Sequence, residues 1–128
     1  MDLIREYCLL GLRFDRLVEG FVDAYTGDPA LKAQVAVEPA PDPAALSRRA
    51  AALRRELGSS DLDQARKGYL DGQLRGLEAS GRSLAGEPMG FDDEVEAYFG
   101  VRPSMGDPDT YAAAHGALDG LLPGDGSL

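Results

Sequence analysis

The sequence predicts an all-α fold, a bundle of about four main helices and two short ones without a sheet. Apolar residues recur at spacings of three and four along several segments, which is the period of an amphipathic helix. Asp-Pro pairs and glycines separate these segments, as they do at helix starts and ends. No stretch alternates apolar and polar residues in the manner of a half-buried strand. The 128 residues fit a single domain with its own core.

The first helix is predicted to run from Leu3 to Tyr25 and to face the core. Gly27 follows it and suits the position after a helix end, where a positive φ costs glycine little. At about 1.5 Å per residue such a helix is about 35 Å long. The apolar stripe that predicts it consists of Leu3, Tyr7, Leu10, Phe14, Leu17, Phe21 and Tyr25.

Two Asp-Pro pairs predict the starts of the second and third helices, since aspartate caps a helix and proline suits its first position. The second helix begins at Asp28-Pro29 and runs through about Val35. The third runs from about Pro43 to Leu57. It carries a local basic stretch that neighbouring acids should largely neutralise, formed by Arg48, Arg49, Arg54 and Arg55.

The fourth helix is predicted from a Ser60 cap to about Ala85, with leucines on one face and small residues on the opposite face. Each interior glycine costs up to about 1 kcal/mol relative to alanine. One interpretation is that another helix, or another part of a larger protein, approaches the small-residue face closely. The other interpretation is a solvated face enriched in small residues. The small residues are Ala65, Gly68, Gly72, Gly76 and Ala79.

Two further helices are predicted towards the C-terminus. The first is short, begins near Asp92 with Phe91 as a hydrophobic staple, and ends at Gly100. The last starts at about Asp107-Pro108 and runs to Leu122. One face of this last helix carries Tyr111, His115, Leu118 and Leu122.

Composition restricts the classes of partner and the compartment. Twenty-two acids against thirteen bases give a net charge of −9. A surface with this charge repels phosphate backbones and anionic lipid headgroups. Neither nucleic acid nor a membrane is therefore an expected partner. The single Cys8 cannot form an intrachain disulfide, which suits a reducing compartment. No signal peptide and no membrane-spanning run is present. The sequence therefore predicts a cytoplasmic protein.

The sequence contains no motif that predicts a catalytic residue, a cofactor-binding residue or a metal ligand. His115 has no second ligand beside it on its helix. The acidic cluster of residues 92–96 is explained by the favourable position of carboxylates at a helix start. Asp107-Pro108-Asp109 lacks the glycine and the final glutamate of a calcium loop. Cys8 lies in an apolar stretch without an evident base, so we expect an inert thiol.

Three segments in this order resemble the N-terminal region of a bacterial family of unknown function, large helical zinc-peptidase-like proteins common in actinobacteria. The segments are GFVDAYTGDP at residues 20–29, YLDGQLRGLE at residues 69–78, and MGFDDEVEAYFGV at residues 89–101. LDGLLPG at residues 118–124 fits the same pattern. Together they cover most of the chain.

The resemblance implies a helical region without an active centre. The family's metal motif, His-Glu-x-x-Pro-Gly-His-His, lies well downstream of the matched region. No residue here corresponds to it, so no metal ligand is carried over. The resemblance implies that the chain is the N-terminal part of a larger protein, or a naturally short relative. The remainder of the parent protein could then pack on the face formed by Gly68, Gly72 and Gly76.

Three hypotheses about function follow. In the first, the chain is a non-catalytic helical N-terminal region of a zinc-peptidase-like protein, contributing scaffold or one wall of a substrate cleft. In the second, it is a free-standing helical interaction module whose copies associate through the first helix or through the face of Gly68, Gly72 and Gly76. The third and least favoured is a small enzyme that uses His115 and the acids of residues 92–96.

Overall fold

In a computed structural model that describes residues 2–124, the chain folds into six helices, and no strand occurs in that part of the chain. Helices make up 66% of it, so the predicted all-α class is confirmed. The helices are α1 (Leu3–Asp15), α2 (Pro29–Ala36), α3 (Pro43–Gly58), α4 (Gln64–Leu84), α5 (Phe91–Phe99) and α6 (Pro108–Leu121).

The main core lies between α1, α3 and α4. Phe14 of α1, Leu53 of α3 and Leu74 of α4 are almost completely buried in it. A smaller cluster joins α1 to α2 through Leu9 and Val35. Residues 2–85, which contain these four helices, are called the body below. All buried residues of the described chain lie within the body.

The prediction of a first helix reaching Tyr25 is wrong, because α1 ends at Asp15. The chain turns through Gly20, whose φ of +80° lies in the region that favours glycine. The Asp15 carboxylate accepts a hydrogen bond from the Val22 N–H at 2.9 Å. The Phe21 ring then stacks on Phe14, with the ring centroids 5.2 Å apart. The apolar residues after Asp15 therefore fold back onto α1 instead of extending it.

Two predicted helix starts are also corrected. Ser60 does not cap α4; its hydroxyl donates to the Leu57 carbonyl at the end of α3. Asp63 is the cap, and its carboxylate accepts from the Arg66 N–H at 2.9 Å. In α5 the cap position is Gly90, two residues before the predicted Asp92. Both starts lie in stretches with several candidate capping residues, and sequence spacing alone does not choose among them.

The glycine that α3 and α4 require for their close packing is Gly81. A Cβ there would lie 2.7 Å from the Ser47 Cβ and 2.9 Å from the Pro43 carbonyl oxygen. On the small-residue face, by contrast, a Cβ at Gly68 or Gly72 would meet no described atom within 4 Å apart from its chain neighbours and the backbone of its own helix. At Gly76 the Tyr98 ring lies at 3.5 Å.

Arginine–carboxylate pairs join the helices around the core. Arg54 of α3 donates to Asp71 and Glu78 of α4, each at 2.9 Å. Arg49 donates to Glu6 of α1 at 3.0 Å and also pairs with Glu56 of its own helix. The predicted neutralisation of the basic stretch of α3 is thus observed at Arg49 and Arg54. These bonds fix how α3 lies against α1 and α4.

A bidentate pair between Arg13 and Glu38 predicts a pH-dependent contribution to stability. Both N···O distances are 2.7 Å, and the hydrogen bond from Arg13 holds the pKa of the Glu38 carboxyl below its ordinary value. The contribution is therefore present above the ordinary pKa and is lost as the pH falls through the lowered one. Glu38→Gln should cost about 1 kcal/mol at pH 7.

Urea unfolding of wild type and Glu38→Gln over a pH series from neutral into acid measures this contribution, since the difference between the two chains should shrink as the pH falls. Glu87→Gln is the matched control, because Glu87 also pairs with an arginine, Arg82, but lies at the exposed surface. Its effect should be smaller at neutral pH. A difference between wild type and Glu38→Gln that persists in acid would contradict the assignment.

Candidate functional site

The side chains considered for chemistry lie mainly on the two C-terminal helices, α5 and α6. His115 and Asp109 lie exposed on α6, and Asp92 lies exposed on α5. No group of three or more histidine, cysteine or carboxylate side chains in residues 2–124 is arranged to hold a metal ion. Among the acids of residues 92–96, Glu94 is partly buried, and Asp92, Asp93 and Glu96 are exposed. The acids of the third hypothesis lie in α5, and its histidine lies on α6.

Cys8 lines a small apolar cavity of about 210 Å³ on the body. Tyr7 and Tyr25 form part of its wall, and the turn after α1 covers one side with Val22. Burial raises the pKa of the Cys8 thiol, and the Asp2 carboxylate raises it further. A raised pKa lowers the thiolate fraction at neutral pH. This is the environment of a packing thiol, and the inertness of Cys8 stays a prediction.

The C-terminal third of the described chain, residues 86–124, differs from the body and is called the arm below. None of its residues is buried, although it contains two helices, α5 and α6. α5 packs on α4 through Tyr98, whose hydroxyl lies 3.0 Å from the Ser80 hydroxyl. Every residue of α6 is exposed. The arm is therefore held to the body by α5, and α6 extends from it.

The arm carries most of the exposed large apolar side chains. Nine of the fourteen in the described chain belong to it, although it is less than a third of that chain. An amphipathic helix normally covers its apolar face against another element, and clustered exposed apolar residues mark an interaction surface. The nine are Phe91, Tyr98, Phe99, Val101, Met105, Tyr111, Leu118, Leu121 and Leu122.

The apolar face of α6 is continuous along the helix. At 100° per residue, Tyr111, Leu118 and Leu122 fall within about 40° of one another, and Leu121 borders them. This is the face that the sequence predicted, with His115 among its members. Leu121 is 80% exposed and Tyr111 59% exposed. A face of this kind can cover a complementary groove on another surface.

The negative charge of the chain is concentrated in the same region. Residues 1–85 contain thirteen acids and twelve bases. Residues 86–128 contain nine acids and one base, Arg102, so eight of the nine net negative charges lie there. Arg102 is already engaged, because it donates to Asp93 at 2.7 Å and to Glu96 at 2.9 Å. Neither Asp92 nor Glu94 forms an ion pair within residues 2–124.

The chain matches no protein-family model, and neither a curated protein nor a solved structure is significantly similar to it. The resemblance to the zinc-peptidase-like family stays a prediction. Within residues 2–124, no helix is both long enough and apolar enough to cross a membrane.

Sequence reasoning found the apolar face of α6 but did not identify it as a surface. It treated the net charge as one number and did not separate the two parts of the chain. Counting charges segment by segment would have shown that the last third is acidic. It would not have shown that α6 lies away from the body, because that depends on tertiary packing.

Proposed function

We propose that the chain is a non-catalytic helical docking module, in which a packed body presents an acidic, apolar arm to another protein surface. The exposed apolar face of α6 is the observation that carries this proposal. The body has a complete leucine core without α6, so the leucines of α6 are not needed to build it. On the small-residue face of α4, Gly68 and Gly72 are open, whereas the Tyr98 ring lies against Gly76 and Ala79 is buried.

The resemblance to the N-terminal region of zinc-peptidase-like proteins supports the same role. The docking surface would then belong to the remainder of the parent polypeptide, and the chain would act as scaffold or as one wall of a substrate cleft. The lack of a disulfide partner for Cys8 supports a cytoplasmic location.

A photocrosslinking residue placed at Leu121 tests the docking role in cells of the source organism. We expect a discrete crosslink that maps to one protein surface, and we expect its loss when Leu118 and Leu122 are changed to serine. The matched control places the same crosslinker at Ala112, on the side of α6 opposite Leu121. Equal crosslinking from both positions, or none from Leu121, would contradict the proposal.

Self-association through Gly68, Gly72 and Gly76 is the second candidate. The observation that favours it is the open groove of about 190 Å³ beside Gly72 and Gly76, which Tyr98 borders on one side. Sedimentation velocity over a range of protein concentrations tests it. Gly72→Leu should abolish association if this face joins two copies. An equally stable monomer with and without the substitution would exclude it.

A further inference from the structure

We infer that the surface bound by the arm is a basic protein surface, an apolar groove edged by lysine and arginine. This inference rests on the proposed docking role and adds the chemistry of the partner. Two independent features carry it: the uncovered apolar face of α6, and the net charge of the arm, whose eight acids and one base give −7.

The acids lie beside the apolar residues that a partner would cover. In α5, Asp92 directly follows the exposed Phe91, and Glu94 lies three residues after Phe91. In α6, Asp109 and Asp119 are the only charged side chains besides the single histidine, so the helix carries no lysine or arginine. Covering the arm with an uncharged groove would desolvate the carboxylates of Asp92, Glu94 and Asp109 without compensation. Lysine or arginine at the rim of the groove would compensate them.

The acidic charge of the arm disfavours the other classes of binding partner. Two copies joined through their arms would bring two strongly acidic segments together. The body offers little attraction to a second arm, because its acids and bases nearly balance and the arginines Arg13, Arg49 and Arg54 already bind carboxylates. Nucleic acid and anionic membranes carry the same sign of charge as the arm. A basic protein surface is the partner that satisfies both the apolar face and the acids.

Three synthetic amphipathic helical peptides serve as probes of the full chain: one of leucine and lysine, one of leucine and glutamine, and one of leucine and glutamate. We expect the lysine peptide to bind, with NMR shift changes confined to residues 91–122. Raising the salt from about 0.05 M to about 0.5 M should weaken this binding at least tenfold. The glutamate peptide should not bind.

A matched pair of charge variants shows whether the location of the acids matters. Asp92→Asn/Glu94→Gln/Asp109→Asn removes three acids from the arm, and we expect a loss of about tenfold in affinity for the lysine peptide. The control variant removes three exposed acids from the body by the same chemistry, and its affinity should change less than twofold. The control substitutions are Glu19→Gln, Asp23→Asn and Asp61→Asn.

The outcomes separate this inference from the docking role. If the glutamine peptide binds the arm as tightly as the lysine peptide, the basic-surface inference is overturned while docking by the arm is retained. If the two charge variants lose affinity equally, the affinity depends on the net charge of the whole chain and not on the acids of the arm. The inference is then also overturned. If no peptide shifts residues of the arm, both the inference and the proposed docking role are contradicted.

Discussion

Replacing Leu53 with alanine is expected to lower the free energy of unfolding by about 2–5 kcal/mol. Leu53 is fully buried where α1, α3 and α4 meet, so the change removes apolar contacts and leaves a cavity. Small domains have only about 5–15 kcal/mol of stability in total. The variant should therefore unfold at a clearly lower urea concentration than the wild type.

Leu121→Ala is the matched control, because it makes the same chemical change on α6, where the side chain is 80% exposed. Its free energy of unfolding should stay within about 0.5 kcal/mol of wild type. Equal destabilisation by both substitutions would mean that α6 belongs to the folded core, contrary to the architecture described above.

Gly81→Ala and Gly72→Ala should change stability in opposite directions although both lie in α4. At Gly81 the added methyl group would clash with Ser47 and with the backbone of Pro43, and we expect a loss of about 1–3 kcal/mol. At Gly72 no described atom lies within 4 Å of the new Cβ. The higher helix propensity of alanine should then raise stability by up to about 1 kcal/mol.

Urea unfolding of the two variants measures both changes, with circular dichroism to confirm the helix content. Destabilisation by Gly72→Ala would show that its face is covered, as the close-approach interpretation of the small-residue stripe requires. A neutral effect of Gly81→Ala would show that α3 and α4 do not approach each other as closely as described.

The sequence predicted the helices well where local signals and packing agree. Asp28-Pro29, Asp42-Pro43 and Asp107-Pro108 each start a helix as expected, because the cap and the proline are properties of the segment itself. The leucine faces of α3 and α4 also follow directly from their period.

The error in α1 has a specific cause. Phe21 and Tyr25 continue the spacing of the α1 stripe, but they are apolar because they pack back against Phe14 and the α1–α2 cluster. Periodicity does not distinguish a longer helix from a turn that returns to the same face. Gly20 was the available signal, and a single glycine within a helical pattern is weak evidence for a helix end.

The candidate site was less predictable because it depends on what covers each face. Tyr111, Leu118 and Leu122 produce the same amphipathic pattern whether they face a core or an interface. The small-residue stripe drew attention to Gly72, whereas the close contact occurs at Gly81, outside the stripe. Both distinctions depend on how α4 and α6 lie relative to the other helices, and no local sequence signal contains that information.

Native-state hydrogen exchange of the chain in isolation tests the central claim most directly, since that claim separates a packed body from a docking arm. We expect amides around Leu53 and Leu74 to exchange only through global unfolding. Amides of α6 around Leu118 should exchange through local opening at much lower free energy. Protection of α6 equal to that of α3 and α4 would contradict the account, because the apolar face of α6 would then be part of the core.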